Sequence, residues 1–346
     1  MLRNLRTRLH LFLPEQFRDP FGLFIRLVKS RDSAAWFAMS SALMGVLATP
    51  LDLLLENAEK KLYETAPEPK HPIILVCGPP RSGTTLVEQV LINNLPVAYI
   101  NNLTSIFPHS PIKANQIFGQ FMRRNRSFSY ESYYGKSTSY SGPNDALYLW
   151  DRWVGVDRSK APKCISDSKK KEMLQFFGAY EQLNNKPMVA KNNSLNTYAY
   201  LVADVLRSAH FICLNRAPVY LAQSLLRARY DIHGDPDMPY GVDELDDARN
   251  KDPILDVCRQ VRFHNEKISD QMQQIGSERF WVVPYETFCT QPEELVTRVY
   301  EEILDQHFTI QSMPPFKSTN RIRIAPQLFQ IIEHELADLT ESYYEA

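Results

Sequence analysis

The sequence predicts an α/β fold in which helices flank a doubly wound parallel sheet of the P-loop type, preceded by a helical N-terminal extension. After residue 72, short apolar runs alternate with longer helical patterns. The first apolar run leads through a glycine turn directly into a helix. A hydrophobic content of 44% over 346 residues is enough for a large core. We therefore expect the extension at residues 1–70 and the main domain at residues 71–346, with the proline-rich segment Glu64–Pro72 between them.

The N-terminal extension is basic and then apolar. Its first 33 residues are rich in Leu and Phe, and their charges are mostly basic: Arg3, Arg6, Arg8, Arg18, Arg26, Lys29 and Arg31 against Glu15, Asp19 and Asp32. The next stretch, Ala34–Leu51, has no charge and is close to the minimum length of a membrane span. It is interpreted as a buried or docked helix, an interfacial helix or a transmembrane span, and the basic charge favours peripheral membrane contact through residues 1–55.

The main domain is expected to alternate strands and helices. Apolar and β-branched residues indicate buried strands, and Pro218 suits the first position of a helix. The predicted strands are Ile73–Cys77, Pro187–Lys191, His210–Asn215 and Arg279–Glu286. The predicted helices run from Gly83 to about Asn93, Leu195 to Arg207, Pro218 to Arg229, Asp256 to Gln274 and Pro292 to Leu304.

The loop after the first strand has P-loop glycine spacing but no P-loop lysine. Gly78 and Gly83 are correctly spaced, while Thr84 stands at the lysine position and Thr85 follows it. Backbone N–H groups and the helix dipole still make such a loop an anion site. The lysine of a triphosphatase reaches the β- and γ-phosphates. Its absence indicates an anionic ligand that has no γ-phosphate.

A second polar pair follows the strand His210–Asn215. This strand leads into Arg216, whereas many nucleotide triphosphatases have a metal-binding Asp at such a strand end. Ser224 comes eight positions after Arg216, in the second turn of the predicted helix. The second loop therefore pairs a guanidinium with a hydroxyl.

These two stretches, PPRSGTTL and FICLNRAPVYLAQSLL, closely resemble the nucleotide-binding motifs of sulfotransferases that use 3′-phosphoadenosine 5′-phosphosulfate (PAPS). VVPYETFCTQPEEL and KSTNRIRIAP resemble two later segments of tyrosylprotein-type and related sulfotransferases. The resemblance covers about Pro72 to Pro326 with four motifs in the correct order. It implies that residues 71–346 form a PAPS-dependent sulfotransferase domain.

The resemblance also implies roles for individual residues. Lys191 would stabilise the transferring sulfonate, and Arg81 would contact the leaving phosphate. No metal is expected in this reaction. The residues expected to bind PAPS are Arg81, Ser82, Gly83, Thr84 and Thr85 at the 5′-phosphosulfate, Arg216 and Ser224 at the 3′-phosphate, and Ser318 and Arg321 in the C-terminal loop.

The catalytic base departs from the family pattern. Many relatives have a glutamate in a G-E motif after the second strand, where this chain has Asn101 and Asn102. Asparagine cannot take a proton from the acceptor. Two titratable residues remain as candidates, His109 and Asp145. Their alternative interpretations are a surface histidine in a loop and an acid that caps a helix.

The acceptor is expected to be a small molecule or a lipid-like alcohol. The segment 127–153 contains aromatic residues that would either wall an apolar pocket or fill the core: Phe128, Tyr130, Tyr133, Tyr134, Tyr140, Tyr148, Trp150 and Trp153. A net charge of −1 gives no indication of nucleic-acid binding. Five widely spaced cysteines favour a reducing, cytoplasmic location. The basic and apolar N-terminal extension favours membrane association within it. The competing functions are a P-loop kinase and a catalytically inactive nucleotide-binding protein.

Overall fold

The computed structural model describes residues 20–30, 32–122, 130, 132–133, 136–243, 252–307 and 313–345. Its centre is a five-stranded, fully parallel sheet with the strand order β2-β5-β1-β6-β7. A separate antiparallel pair joins β3 to β4. The strands are β1 (Ile73–Cys77), β2 (Ala98–Tyr99), β3 (Ser132–Tyr133), β4 (Lys136–Ser137), β5 (Met188–Lys191), β6 (Ala209–Asn215) and β7 (Phe280–Pro284).

The central strands are apolar along their whole length because both faces of the sheet are covered. Ile73 and Leu75 pack into the cluster on one side of the sheet, whereas Ile74 and Val76 pack into the cluster on the other side. All five residues of β1 are buried. This two-sided burial explains why the strands appear in the sequence as continuous apolar runs rather than as alternating patterns.

Helices cover both faces of the sheet, which confirms the predicted fold class. Most predicted strands and helices match the structure within a few residues. The region predicted as one helix over Pro292–Leu304 contains an α-helix followed by a π-helical turn, Val299–Ile303, and a second π-helical turn spans Arg229–His233. The helices are α1 (Pro20–Ser30), α2 (Ser33–Glu64), α3 (Thr84–Asn94), α4 (Asn102–Ile106), α5 (Pro111–Met122), α6 (Leu147–Val154), α7 (Asp167–Asn184), α8 (Leu195–Ala203), α9 (Pro218–Ala228), α10 (Pro253–Ile275), α11 (Tyr285–Thr290), α12 (Pro292–Arg298), α13 (Pro326–Glu335) and α14 (Ala337–Glu345).

Two buried acids attach the long helix α2 to the rest of the molecule. Asp52 accepts hydrogen bonds from the backbone N–H of His109 and from the Ser110 hydroxyl, the latter at 2.7 Å. Glu59 accepts from the backbone N–H groups of Ile112 and Lys113 at 3.1 and 2.7 Å. Burial raises the pKa of Glu59, and these hydrogen bonds oppose that effect. Glu59 thus caps the start of α5, Asp52 binds the two residues before it, and together they hold one face of α2 against the domain.

The opposite face of α2 is apolar and exposed. Its large exposed side chains include Trp36, Leu43, Met44, Leu47 and Leu54. Among the described residues, α2 is the one helix long and apolar enough to cross a membrane, and little of its apolar part is buried. The arginines of residues 1–19 lie outside the described part of the chain, and the boundary near residue 70 stays a prediction.

Candidate active site

The candidate site lies at the topological switch point of the sheet, where successive strands are added on opposite sides of β1. β1 is central, with β5 on one side and β6 on the other. In open parallel sheets, ligands bind outside the carboxyl ends of the strands at this switch point. The three loops that leave these strands here are residues 78–83, 192–194 and 216–217.

The glycine loop is tightly constrained. Gly78 and Gly83 have positive φ angles of 141° and 102°, and Arg81 has a φ of 75°. A Cβ atom on Gly78 would lie 2.4 Å from the carbonyl oxygen of Leu214, and one on Gly83 would lie 2.5 Å from the Tyr285 ring. Glycine is therefore required at both positions by backbone conformation and by space.

The start of α3 offers backbone donors to an anion. Gly83 is the N-cap residue and supplies no side-chain hydrogen bond to the helix. The N–H groups at the first two helical positions, Thr84 and Thr85, have no intrahelical acceptors, and the helix dipole makes this end positive. The geometry suits a phosphate or sulfate group.

The hydroxyl residues of the loop have different surroundings. Ser82 is fully buried, and its N–H donates to the Pro79 carbonyl at 3.1 Å. Ser82 therefore shapes the loop from inside rather than presenting its side chain at the surface. Thr84 donates its hydroxyl to the Asn193 side chain at 2.8 Å, which joins the loop after β1 to the loop after β5.

The two predicted nucleotide motifs meet in the structure. Arg81 Nε donates to Ser224 Oγ at 3.3 Å, and Arg216 Nη1 donates to the Arg81 carbonyl at 2.9 Å. Burial lowers the pKa of the Arg216 guanidinium, and the like charges of Arg81 and Arg323 lower it further. Burial and the neighbouring Arg321, Arg227 and Arg81 likewise lower the pKa of Arg323. Such crowding of cations favours a ligand with several negative charges.

The C-terminal loop closes over Arg216. Asn320 Oδ1 accepts from Arg216 Nε at 2.9 Å and from Nη2 at 2.7 Å, and the Thr319 hydroxyl accepts from Nη2 at 3.2 Å. The Ser318 hydroxyl accepts from the Asn320 N–H at 3.2 Å. Arg321 has an exposed side chain, and its carbonyl accepts from Gln223 on α9 at 3.0 Å. The loop thus contacts Arg216 through Thr319 and Asn320, whereas the predicted residues Ser318 and Arg321 contact Asn320 and Gln223.

Lys191 forms a second polar cluster, at the carboxyl end of β5. It is only 1% exposed, and its Nζ lies 2.7 Å from Asp145 Oδ1 and 3.0 Å from Thr85 Oγ1. Burial alone would lower the pKa of Lys191, but attraction to Asp145 and Glu88 outweighs burial and raises it. Burial raises the pKa of Glu88 to about 8, and Lys191 partly offsets this. The ammonium therefore stays charged next to the glycine loop.

The two base candidates occupy different surroundings. Asp145 contacts Lys191 and is partly exposed, with 26% of its side chain accessible. The ring of His109 contacts Asp52 of α2 through Nδ1 at 2.7 Å. Asn101 caps α4 through the Thr104 N–H, and Asn102 binds the backbone around Ser137 and Ser139. These asparagines support the local fold, and the described contacts join Asp145, rather than His109, to the lysine cluster.

Three aromatic residues of the segment 127–153 lie in the core. Tyr148, Trp150 and Trp153 are at most 5% exposed and pack in the same cluster as Phe176 and Phe177. Of the two predicted roles, pocket wall and core packing, these three residues therefore have the second. Phe128 and Tyr134 lie outside the described residues.

Several residues at the site were missed by sequence reasoning. Glu88 stands out in the sequence as a charge within the apolar helix TTLVEQVL, one turn after Thr85, and this signal was available. Asn193 and Asn320 have no such signal because their partners are remote in the chain.

Comparisons with known proteins agree with this geometry. A family model described as the sulfotransferase family matches residues 72–304. Two solved structures share the fold. Sulfotransferase STF9 from Mycobacterium avium has 13% identity and a TM-score of 0.51, with 94% of this chain and 83% of that chain covered. Sulfotransferase STF1 from Mycobacterium tuberculosis H37Rv has 10% identity and a TM-score of 0.52, with 98% of each chain covered.

A search of curated proteins returned no match. The family match spans more than half of the chain and contains the glycine loop, Lys191, Arg216 and Ser224. The chain therefore belongs to the sulfotransferase family and is a sulfotransferase enzyme.

Proposed function

We propose that this enzyme transfers a sulfuryl group from PAPS to a hydroxyl of an apolar or lipid-like small molecule. The observation that carries the donor assignment is the contact between Arg81, Arg216 and Ser224 at the glycine loop. A nucleotide with phosphate groups at both ends of its ribose needs two separate anion sites. The first turn of α3 supplies one such site. Arg216 and Ser224 supply the other beside it.

The residues fit the donor on several physical grounds. Both glycines of the loop are required by the backbone, and the first turn of α3 presents N–H groups without acceptors in the helix. Arg216 can form charge-assisted hydrogen bonds to a 3′-phosphate, with Ser224 nearby as a further donor. Within the described residues there is no group of three or more His, Cys, Asp or Glu side chains suited to a metal, and we assign no metal to the reaction.

In the reaction, the sulfur–oxygen bond to the 5′-phosphate breaks while a sulfur–oxygen bond to the acceptor forms. Lys191 and Arg81 supply positive charge for the oxygens that become more negative as this happens. Asp145 takes the acceptor proton, because it is the carboxylate in contact with Lys191 that is also partly exposed. His109 stays an alternative base. Preorganised cations of this kind replace the metal that phosphoryl transfer uses.

The competing functions lack comparable support. A P-loop kinase would need the loop lysine, and Thr84 occupies that position with its hydroxyl bound to Asn193. A catalytically inactive nucleotide-binding protein would have less need of a fully buried, charged Lys191 at the loop. The family match supports the enzyme.

Calorimetric titration of the full-length protein tests the donor assignment. We expect binding of adenosine 3′,5′-bisphosphate without any metal, with at least about 100-fold weaker binding of ATP with Mg²⁺, because the loop has no lysine for a γ-phosphate. Tighter binding of ATP would instead favour a P-loop kinase. Equal affinity for adenosine 3′,5′-bisphosphate and adenosine 5′-monophosphate would contradict the 3′-phosphate site.

We also propose a cytoplasmic location with peripheral membrane contact through residues 1–55. The five cysteines are free, which fits a reducing compartment. The exposed apolar face of α2 adjoins α1, where Phe21 and Phe24 are also exposed at 74% and 53%. Basic residues predominate in the sequence that leads into these helices. An apolar face with basic residues beside it suits a surface of anionic lipids, where a lipid-like acceptor would also be found.

Vesicle sedimentation tests this contact. We expect the full-length protein to sediment with phosphatidylglycerol vesicles, and the double variant Leu47→Glu, Leu54→Glu to lose about 90% of the binding, because each carboxylate must be placed against the bilayer. These side chains are 65% and 77% exposed, so the fold should be preserved. Val156→Glu, at 68% exposure in the loop after α6, is the control. Unchanged sedimentation of the double variant would contradict the membrane contact. If the wild type were a dimer and the double variant a monomer, the exposed face of α2 would instead be an interface between two copies of the chain.

A further inference from the structure

Glu286, the second residue of α11, holds together three parts of the chain that are distant in sequence. Its Oε1 accepts from the Ala217 N–H at 3.2 Å, at the start of α9. The same oxygen accepts from the side-chain amide of Asn320 in the C-terminal loop. Its Oε2 accepts from the Tyr343 hydroxyl on α14. One carboxylate thus joins the final helix of the chain to the surroundings of Arg216.

Asn320 transmits this link to the guanidinium. Its amide oxygen accepts from both Nε and Nη2 of Arg216, while its amide nitrogen donates to Glu286. A carboxylate in direct contact would neutralise the arginine, whereas an amide fixes the position of the guanidinium and adds no net charge. Although Glu286 does not contact Arg216 directly, its negative charge raises the pKa of Arg216 and so opposes the effect of burial.

Tyr343 completes the arrangement from the outside. Burial and the hydrogen bond with Glu286 raise the pKa of Tyr343, so its hydroxyl stays a donor. The hydroxyl also lies 3.4 Å from the carbonyl oxygen of Asn215, the residue before Arg216. The end of the chain therefore contacts both the backbone before Arg216 and, through Glu286 and Asn320, the side chain of Arg216.

We infer that Tyr343, Glu286 and Asn320 are positioning residues that aim Arg216 at the 3′-phosphate and so set the preference for a 3′-phosphorylated nucleotide. This inference rests on the proposed function. Asn320 and Tyr343 both lie beyond residues 72–304, the part of the chain that the family model matches. Specificity for the donor therefore depends partly on a C-terminal segment outside the matched range.

The test compares two ligands on the full-length Tyr343→Phe variant by calorimetry. Adenosine 3′,5′-bisphosphate and adenosine 5′-monophosphate differ only in the phosphate that Arg216 would bind. We expect Tyr343→Phe to weaken bisphosphate binding about five-fold, the effect of one hydrogen bond, and to leave monophosphate binding unchanged. Tyr344→Phe is the matched control, because Tyr344 is the next residue in the sequence and is 63% exposed. Its affinities for both ligands should equal those of the wild type.

Asn320→Ala extends the test to the residue that contacts Arg216. We expect it to weaken bisphosphate binding about ten-fold or more, because it removes hydrogen bonds to a charged group. Equal losses for both ligands would show general damage to the site and overturn the positioning role, as would unchanged bisphosphate affinity in both variants. If the wild-type protein itself bound the two ligands alike, the 3′-phosphate assignment would fail instead, so the two failures are distinguishable.

Discussion

Arg216→Ala is expected to weaken the binding of adenosine 3′,5′-bisphosphate by at least about 100-fold. Arg216 is only 5% exposed, and it lies between the Arg81 carbonyl and Asn320. A guanidinium can make two parallel charge-assisted hydrogen bonds to a phosphate, each contributing about 1.5–3 kcal/mol. Calorimetry with the bisphosphate and with adenosine 5′-monophosphate measures the effect.

The design of this experiment separates recognition from folding. Arg216→Lys keeps the charge but not the planar pair of donors, so its affinity should fall between those of the wild type and the alanine variant. Arg298→Ala removes an exposed arginine that pairs with Glu302 on the surface, and it should leave binding unchanged. Loss of monophosphate binding to the same extent as bisphosphate binding would contradict a specific role at the 3′-phosphate.

Lys191→Met is expected to reduce turnover by about 10²–10³-fold while nucleotide affinity changes much less. The ammonium lies beside Thr85 of the glycine loop. In the proposed mechanism, this is where charge develops as the sulfuryl group leaves. Removing one preorganised donor from such a site costs about 3 kcal/mol in the transition state. Release of adenosine 3′,5′-bisphosphate from PAPS, with a panel of phenols and long-chain alcohols as acceptors, gives the rate.

Two controls apply to the lysine experiment. Lys170→Met removes a lysine whose side chain is 45% exposed on α7, and its turnover should equal that of the wild type. The thermal unfolding temperatures of both variants show whether the fold tolerates Lys191→Met, because this substitution removes the buried partner of an ion pair. A folded Lys191→Met protein with normal turnover would remove Lys191 from the mechanism.

The glycine loop, Lys191 and Arg216 could be predicted because their signals are local. Gly78 and Gly83 stand at a spacing that few other structures require, directly after a buried strand. Lys191 and Arg216 each follow an apolar run, so their positions at the carboxyl edge of the sheet follow from strand parallelism. Patterns within about ten residues of the chain were enough to place these residues at that edge, whereas the role of Lys191 was inferred from the family resemblance.

The sequence by itself therefore determined the fold class and most of the residues around the proposed nucleotide site. Only the tertiary structure decided that Asp145 lies against Lys191 while His109 lies against Asp52, because both pairs join segments far apart in the chain. The same holds for Tyr343, whose contact with Glu286 links the last helix to the start of α11. Hydrophobic periodicity records which face of an element is buried, but it carries no information on which distant polar group will meet another. Those partners are chosen when the elements pack.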